Sequence, residues 1–189
     1  MKWTFLSLFL IVGTIVSGQT SFLLTNFSLK VKGTSNLHNW ESTANEVRAN
    51  GTFSITAGSL TAIQALYLEI PVKTIKSTKG AMMDNKTYDA LKADAHQNII
   101  FKLEKVLGLS KRGDGYDINT VGNLSIAGTT LKTDLYVLGK VASNGTITFT
   151  GSKKIKMTDF KINPPTALMG TLTTGNEVEI VFQVTFKQI

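Results

Sequence analysis

The chain has 189 residues, of which 42% are hydrophobic, no cysteine and a formal net charge of +7. The lack of cysteine excludes a disulfide-stabilised scaffold, and the length is sufficient for one domain that must hold its fold by its core alone. The lysines are scattered rather than clustered. This distribution indicates a solvated basic surface, with transient contact to anionic membranes as the alternative, and it disfavours nucleic acid as a partner.

The first element along the chain is an N-terminal leader. Lys2 precedes an apolar run of about a dozen residues, and the small residues Ser17 and Gly18 follow it. A membrane-spanning helix needs roughly 20 apolar residues, so this run is typical of a cleavable secretory signal peptide instead. We expect residues 1–18 to be removed and residues 19–189 to form a single periplasmic or secreted domain.

Most of the remaining sequence alternates apolar and polar residues, a pattern typical of strands with one apolar face. We expect turns at Asn50–Gly51, Asp114–Gly115, Asn144–Gly145 and Gly175–Asn176. About eight strands joined mainly by hairpins predict an antiparallel sheet that closes or splits into two layers. The clearest apolar faces are Phe27, Leu29 and Val31; Leu66, Leu68 and Ile70; Ile99, Phe101 and Leu103; Leu131, Thr133, Leu135 and Val137; and Val178, Ile180, Phe182, Val184 and Phe186.

One segment between these strands has the spacing of a short helix. Tyr88, Leu91 and Ala95 share one helical face, and Asp84 stands where a carboxylate caps a helix N-terminus. If Asp84 is the cap, Met83 and Tyr88 occupy the positions of a hydrophobic staple. A helix of about three turns is marginal alone, so we expect it to dock on the sheet and cover the mouth of a barrel.

Signals for catalysis are sparse. His38 and His96 are the only histidines, and the sequence has no nucleophile elbow, zinc-protease motif or glycine-rich phosphate loop. Alternation in SNLHNWES places Asn36, His38 and Trp40 on one strand face, which favours a hydrogen-bonded role for His38 at a barrel end. Ligand contact, a metal site with His96, and a hydrolase or lipid-modifying enzyme remain weaker alternatives. We predict no enzymatic activity, no cofactor and no metal.

Two motifs and the order of the segments around them carry a family resemblance. HQNIIF follows the predicted helix and LSIAG opens a hairpin; GTSNLHNW and LEIPVKTIKS precede them, and IKMTDFKINPP and VEIVFQVTF follow. In this order the chain resembles the YceI-like family across roughly residues 24–188. In that family the helix ends in x-H/Y-P-x-I-x-F and the hairpin reads L-T-I-x-G. Gln97 stands where the family usually has proline.

The resemblance implies an all-β fold, a lipocalin-like antiparallel eight-stranded β-barrel with one short helix capping the mouth. It also implies a long-chain isoprenoid or other amphiphilic lipid as partner, such as one with a quinone tail, held for carriage or sequestration, and a homodimer is a further expectation. An eight-stranded barrel is either hollow or packed solid, so a packed structural or stress-response module without a ligand stays open. The residues expected to line the cavity or its mouth are Leu37, His38, Trp40, Leu68, Met82, Met83, Tyr88, Leu91, Ile99, Phe101, Leu103, Leu135, Phe160 and Phe182.

Overall fold

The computed structural model describes residues 20–167 and 170–189, so the leader expected at residues 1–18 lies outside the described residues. Among the elements of these described ranges, one α-helix, α1 (Ala81–Ala90), and two short 3₁₀ turns, Val72–Thr74 and Met157–Phe160, interrupt a chain made mainly of strands. The strands are β1 (Thr20–Ser35), β2 (Asn39–Ala44), β3 (Arg48–Thr56), β4 (Ser59–Pro71), β5 (Ile75–Ser77), β6 (Asn98–Arg112), β7 (Gly115–Ile126), β8 (Thr129–Val141), β9 (Ile147–Lys156), β10 (Thr166–Ala167) and β11 (Leu172–Gln188).

Eight of the strands close into an antiparallel barrel. Hydrogen-bonded neighbours follow the order β1, β3, β4, β6, β7, β8, β9, β11, and β11 pairs with β1 again to complete the ring. Closure removes the long open edges along which sheets of different molecules would otherwise pair. The predicted all-β fold, an eight-stranded antiparallel barrel with one short helix, is therefore confirmed.

The two ends of the barrel are built differently. At one end, which we call the base, the start of β1 pairs with β3. Toward the other end, the mouth, β1 pairs with β2 over Lys30–Thr34, and β2 pairs in turn with β5. Helix α1 packs beside β5, and the residues after α1 lead into β6. A helix thus contributes to the wall of the mouth, where the base has strands alone.

Four phenylalanines, the base cluster, fill the lower end of the barrel. The Phe53 ring centroid lies 5.0 Å from that of Phe22, 5.5 Å from that of Phe149 and 5.4 Å from that of Phe186. Two of these contacts are edge-to-face, an arrangement that the ring quadrupoles favour. The side chains are almost fully buried, with Phe53 and Phe186 at 0% exposure. The base is a packed aromatic core.

Of the four expected turns, two lie where the sequence indicates and two do not. The β6–β7 turn falls at Gly113–Asp114, one residue before the expected position, and Asn144–Gly145 lies in the β8–β9 connection. The other two predictions are wrong, because Asn50–Gly51 lies inside β3 and Gly175–Asn176 lies inside β11. In both strands the ladder with the neighbouring strands overrides the local preference for a turn.

Two further hairpin turns are alanine–glycine pairs; the first was not predicted, and the second lies in the LSIAG hairpin of the family resemblance. Ala57–Gly58 joins β3 to β4 and Ala127–Gly128 joins β7 to β8, and all four residues have positive φ, as tight hairpins require. Gly51 has a packing role instead. The Phe53 ring occupies the space that a Cβ at position 51 would take.

Helix α1 begins earlier than predicted and is fastened differently. Its first residue is Ala81 and its N-cap is Gly80, which has a positive φ of 83° and no side chain to cap the helix. The predicted Asp84 cap is therefore wrong. Asp84 lies in the first turn, 7% exposed, where its carboxylate accepts a hydrogen bond from the Ser77 backbone N–H at 2.7 Å and lies 3.3 Å from the Lys76 amine. The carboxylate ties α1 to β5.

Candidate ligand-binding cavity

Two adjacent cavities lie above the base cluster. The deep cavity, about 120 Å³, lies in the middle of the barrel with Phe149 among its lining residues, and the mouth cavity, about 360 Å³, lies between the barrel wall and α1. Ile99 and Ile180 line both cavities, so the two meet at these side chains. A single water needs only about 10–15 Å³ of such space, and small-molecule sites start at roughly 300 Å³. This part of the barrel is hollow.

The walls of the deep cavity are the apolar strand faces that alternation predicts. They include Leu66, Leu68 and Ile70 of β4; Ile99, Phe101 and Leu103 of β6; Leu135 and Val137 of β8; and Ile180, Phe182 and Val184 of β11. Successive side chains of a strand point to opposite faces, so a barrel with an apolar interior requires this period of two. The alternation predicted for these strands is confirmed.

The polar side chains along the deep cavity already have partners in the protein. Thr120 donates its hydroxyl hydrogen to the Leu135 carbonyl oxygen at 3.0 Å, and Thr133 donates to the Leu131 carbonyl oxygen at 3.2 Å. The Lys153 amine forms an ion pair with Asp134 at 3.0 Å. The deep cavity therefore presents an almost entirely apolar surface, which suits a hydrocarbon chain.

Aromatic liners lie against the barrel wall because glycines make room for them. A Cβ on the facing glycine of the neighbouring strand would overlap each ring; at Gly151, for example, it would lie 2.8 Å from Phe182 Cζ. The absence of these Cβ atoms lets large rings line the wall without a clash. The pairs are Trp40 with Gly33, Phe101 with Gly122, and Phe182 with Gly151.

Helix α1 presents one mixed face to the mouth cavity. Met83, Lys86, Thr87, Ala90 and Leu91 line it, and they recur at the i, i+3, i+4, i+7 and i+8 spacing of a single helical face. The predicted face of Tyr88, Leu91 and Ala95 is offset from this one. Lysine and threonine interrupt the observed face, so an apolar pattern does not identify it.

Tyr88 was predicted to line the cavity or its mouth, but it is not among the residues that line either cavity, and its hydroxyl fastens α1 to the barrel instead. Its hydroxyl donates to the Lys73 carbonyl oxygen at 2.8 Å and accepts a hydrogen bond from the Lys76 amine at 2.6 Å. The hydrogen bond from Lys76 to Tyr88, together with the nearby Asp84 carboxylate, raises the pKa of the Lys76 amine above its usual range. These contacts hold the phenol away from the cavity.

Of the other predicted lining residues, two line neither cavity and the rest line one cavity or both. Leu37 and Met82, at 75% and 74% exposure, line neither cavity, because Leu37 lies in the β1–β2 turn and Met82 on the solvent side of α1. His38, Trp40, Met83, Leu91, Ile99 and Phe160 line the mouth cavity, and Leu68, Ile99, Phe101, Leu103, Leu135 and Phe182 line the deep cavity.

The β1–β2 turn is fixed at the rim of the mouth by polar contacts. Residues 36–38 form a turn rather than the predicted continuous strand face. The Asn36 amide group donates to the Thr171 carbonyl oxygen at 2.8 Å and accepts from the Thr173 backbone N–H at 3.1 Å. The Ser35 hydroxyl donates to the His38 carbonyl oxygen at 2.8 Å. These contacts place the exposed His38 beside the mouth cavity.

Sequence reasoning missed the lysines of both cavities. Lys79 and Lys86 line the mouth cavity and Lys153 the deep one, yet nothing in their spacing distinguishes them from the other lysines of a basic chain. Among residues 20–167 and 170–189, no three histidine, aspartate or glutamate side chains converge as metal ligands. No helix in that part of the chain is long and apolar enough to cross a membrane.

Comparison with known proteins agrees with this geometry. The sequence matches the YceI-like domain over residues 16–186. Similar solved structures are those of BcnA from Burkholderia cenocepacia (20% identity, 84% of this chain and 95% of that one, TM-score 0.63), a polyisoprenoid binding domain from Saccharophagus degradans implicated in plant cell wall breakdown (15%, 91% and 100%, 0.69), and a YCEI protein of Campylobacter jejuni (19%, 78% and 84%, 0.59). At these identities the likeness shows the fold. No curated protein matches the chain.

Proposed function

The chain belongs to the YceI-like family, and from that premise we propose that it is an exported lipid-binding protein without enzymatic activity. It holds a polyisoprenoid or similar long amphiphilic lipid in the barrel, for carriage or sequestration. The observation that carries this proposal is the pair of adjacent, largely apolar cavities inside the barrel, which share Ile99 and Ile180 in their linings.

The energetics of burial support a long apolar ligand. Each CH₂ group removed from water contributes about 0.8 kcal/mol, so a chain of several isoprene units binds tightly with few polar contacts. Because the polar side chains of the deep cavity are already paired, a tail entering it displaces no protein hydrogen bond. The Saccharophagus degradans neighbour, named as polyisoprenoid binding, supports the ligand class.

Export and membrane contact complete the proposal. The N-terminal leader supports passage to the periplasm or secretion. The formal net charge of +7, which becomes 7 − 1 = +6 when Lys2 is removed with the leader, supports transient contact with anionic lipid surfaces during exchange of the ligand. Homodimer formation stays a prediction.

A matched pair of substitutions on β8 tests the binding site. Leu135 faces the deep cavity, whereas Leu138 on the same strand is 45% exposed on the outer surface. We expect Leu135→Asp to abolish saturable binding of Nile red, a neutral apolar fluorophore, and Leu138→Asp to leave it unchanged. Because a buried aspartate also threatens folding, Leu91→Asp at the mouth provides a second variant, with circular dichroism to verify the sheet.

The competing function is a packed barrel that acts as an interaction module without a ligand. A packed barrel gives no saturable Nile red binding even in the unmodified protein. Binding that survives both Leu135→Asp and Leu91→Asp in folded protein would place the dye elsewhere and count against the cavity.

A further inference from the structure

The rim of the mouth cavity carries positive charge that no carboxylate neutralises. Lys79, just before α1, and Lys86, on the cavity face of α1, line this cavity together with His38. All 13 acidic residues of the chain lie in the part that the structure describes. None of them forms an ion pair with Lys79, Lys86 or His38, although ten other ion pairs form there.

The deep cavity differs in this respect. Its one lysine, Lys153, is paired with Asp134, and its threonines bond to backbone carbonyl oxygens. Of the three lysines that line the two cavities, the two without a carboxylate partner, Lys79 and Lys86, therefore both lie at the mouth. An amphiphile in the barrel places its tail in the apolar deep cavity and leaves its head group beside Lys79 and Lys86.

We propose that the bound amphiphile carries an anionic head group, a phosphate or a carboxylate, which Lys79 and Lys86 bind at the rim. The inference rests on the proposed lipid-binding function and names the ligand class of that same cavity. Hydrogen bonds between an ammonium group and an anion are roughly twice as strong as neutral ones. A neutral head, such as an alcohol or a quinone ring, accepts a hydrogen bond from these amines but brings no opposite charge, so it gains less from them.

The test compares three amphiphiles that share one tail: geranylgeraniol, geranylgeranyl phosphate and geranylgeranoic acid. Each is titrated against the full-chain protein loaded with Nile red. We expect at least one of the two anions to displace the dye at about tenfold lower concentration than the alcohol. The difference in displacing concentration between the anions and the alcohol should narrow at about 1 M salt, where the Debye length falls to roughly 3 Å. The relative affinity of the protein for the two anions shows which head group the rim prefers.

Matched charge variants assign the preference to the rim. Lys79→Met/Lys86→Met keeps the unbranched apolar stems and removes both charges. Lys105→Met/Lys187→Met makes the same charge change at exposed lysines that line neither cavity. The rim variant should bind all three amphiphiles within about twofold of each other. The control variant should retain the preference of the unmodified protein.

The outcomes separate this inference from the function on which it rests. Equal affinity of the unmodified protein for the alcohol and both anions overturns the anionic head group while lipid binding stands. A preference that persists in the rim variant overturns the assignment to Lys79 and Lys86. Failure of Nile red and all three amphiphiles to bind overturns the lipid-binding function itself.

Discussion

The base and the mouth of the barrel have the same inward alternation of apolar residues but fill the interior in different ways. At the base, Phe53 contacts three other rings across the barrel, and all four rings are almost fully buried. Above the base, Phe101 and Phe182 in the deep cavity and Trp40 at the mouth lie against glycines of neighbouring strands, and the space between the walls stays open. The same strand pattern thus gives a packed core at one end and a cavity at the other.

This difference separates stability from binding. The base cluster buries aromatic surface that stabilises the closed barrel, whereas the mouth leaves apolar surface available for a ligand. Polar contacts from Asp84 and Tyr88 hold α1 to the mouth, where packing alone is incomplete. Substitutions at the base should therefore change folding, and substitutions at the mouth should mainly change binding.

The largest effect is expected at the centre of the base cluster. Phe53→Ala removes a fully buried ring and should lower the free energy of unfolding by about 3–5 kcal/mol. Phe101→Ala removes a ring that borders the deep cavity, so it should lower the free energy of unfolding by clearly less than Phe53→Ala. Urea denaturation of both variants measures the difference, and equal losses would contradict the division between base and mouth.

A smaller effect is expected where α1 is fastened. Asp84→Ala leaves the Ser77 backbone N–H without its acceptor and should destabilise the docked helix by about 1–3 kcal/mol. Hydrogen exchange should accelerate in α1 but not in β7. Asp89 is exposed on the same helix, so Asp89→Ala is the control and should change neither the stability of the docked helix nor hydrogen exchange in α1. Acceleration throughout the barrel would show that α1 and the base unfold as one unit.

Gly33→Ala probes the mouth without touching the base. The new Cβ would overlap only the Trp40 indole among nearby atoms, so the ring must move from its place against β1. We expect Nile red affinity to change by roughly fivefold, about 1 kcal/mol. Gly108→Ala, where a Cβ meets only Asn119 Nδ2 at 3.8 Å, is the matched control. Unchanged affinity in both variants would show that Trp40 does not shape the site.

The smallest effect concerns the pH dependence of the α1 contacts. The hydrogen bond to Tyr88 raises the pKa of Lys76 above 10.5, the usual value for a lysine. The stabilisation of the folded protein by the charged Lys76 amine is therefore complete below 10.5 and is lost as pH rises through the higher folded-state pKa. Titration of the Lys76 side-chain resonances by NMR should give a midpoint above 10.5, and Tyr88→Phe should lower it. A midpoint that Tyr88→Phe leaves unchanged would contradict this cause.

The barrel was predictable because burial imposes a strict period on strands. Leu66, Leu68 and Ile70, for example, all lie on the inner face as alternation requires. Whether the barrel is filled was not predictable. That depends on where each ring lies, and Phe53 and Phe101 have the same local pattern but opposite roles.

The mouth was predictable only in part. The sequence indicates a short helix there, but its cavity face mixes Met83 with Lys86 and Thr87, so hydropathy favours the wrong side. Tyr88 has the apolar spacing of a cavity residue, yet its hydroxyl finds partners outside the barrel. Polar contacts of this kind depend on the neighbouring strands and leave no periodic signal.

Native mass spectrometry of the protein, purified without detergent after expression in an exporting bacterial host, is the sharpest test of lipid binding. We expect a stoichiometric adduct that dissociates on solvent extraction and is identified as a long-chain isoprenoid or similar amphiphilic lipid. A ligand-free mass that persists after addition of geranylgeraniol and geranylgeranyl phosphate would contradict it.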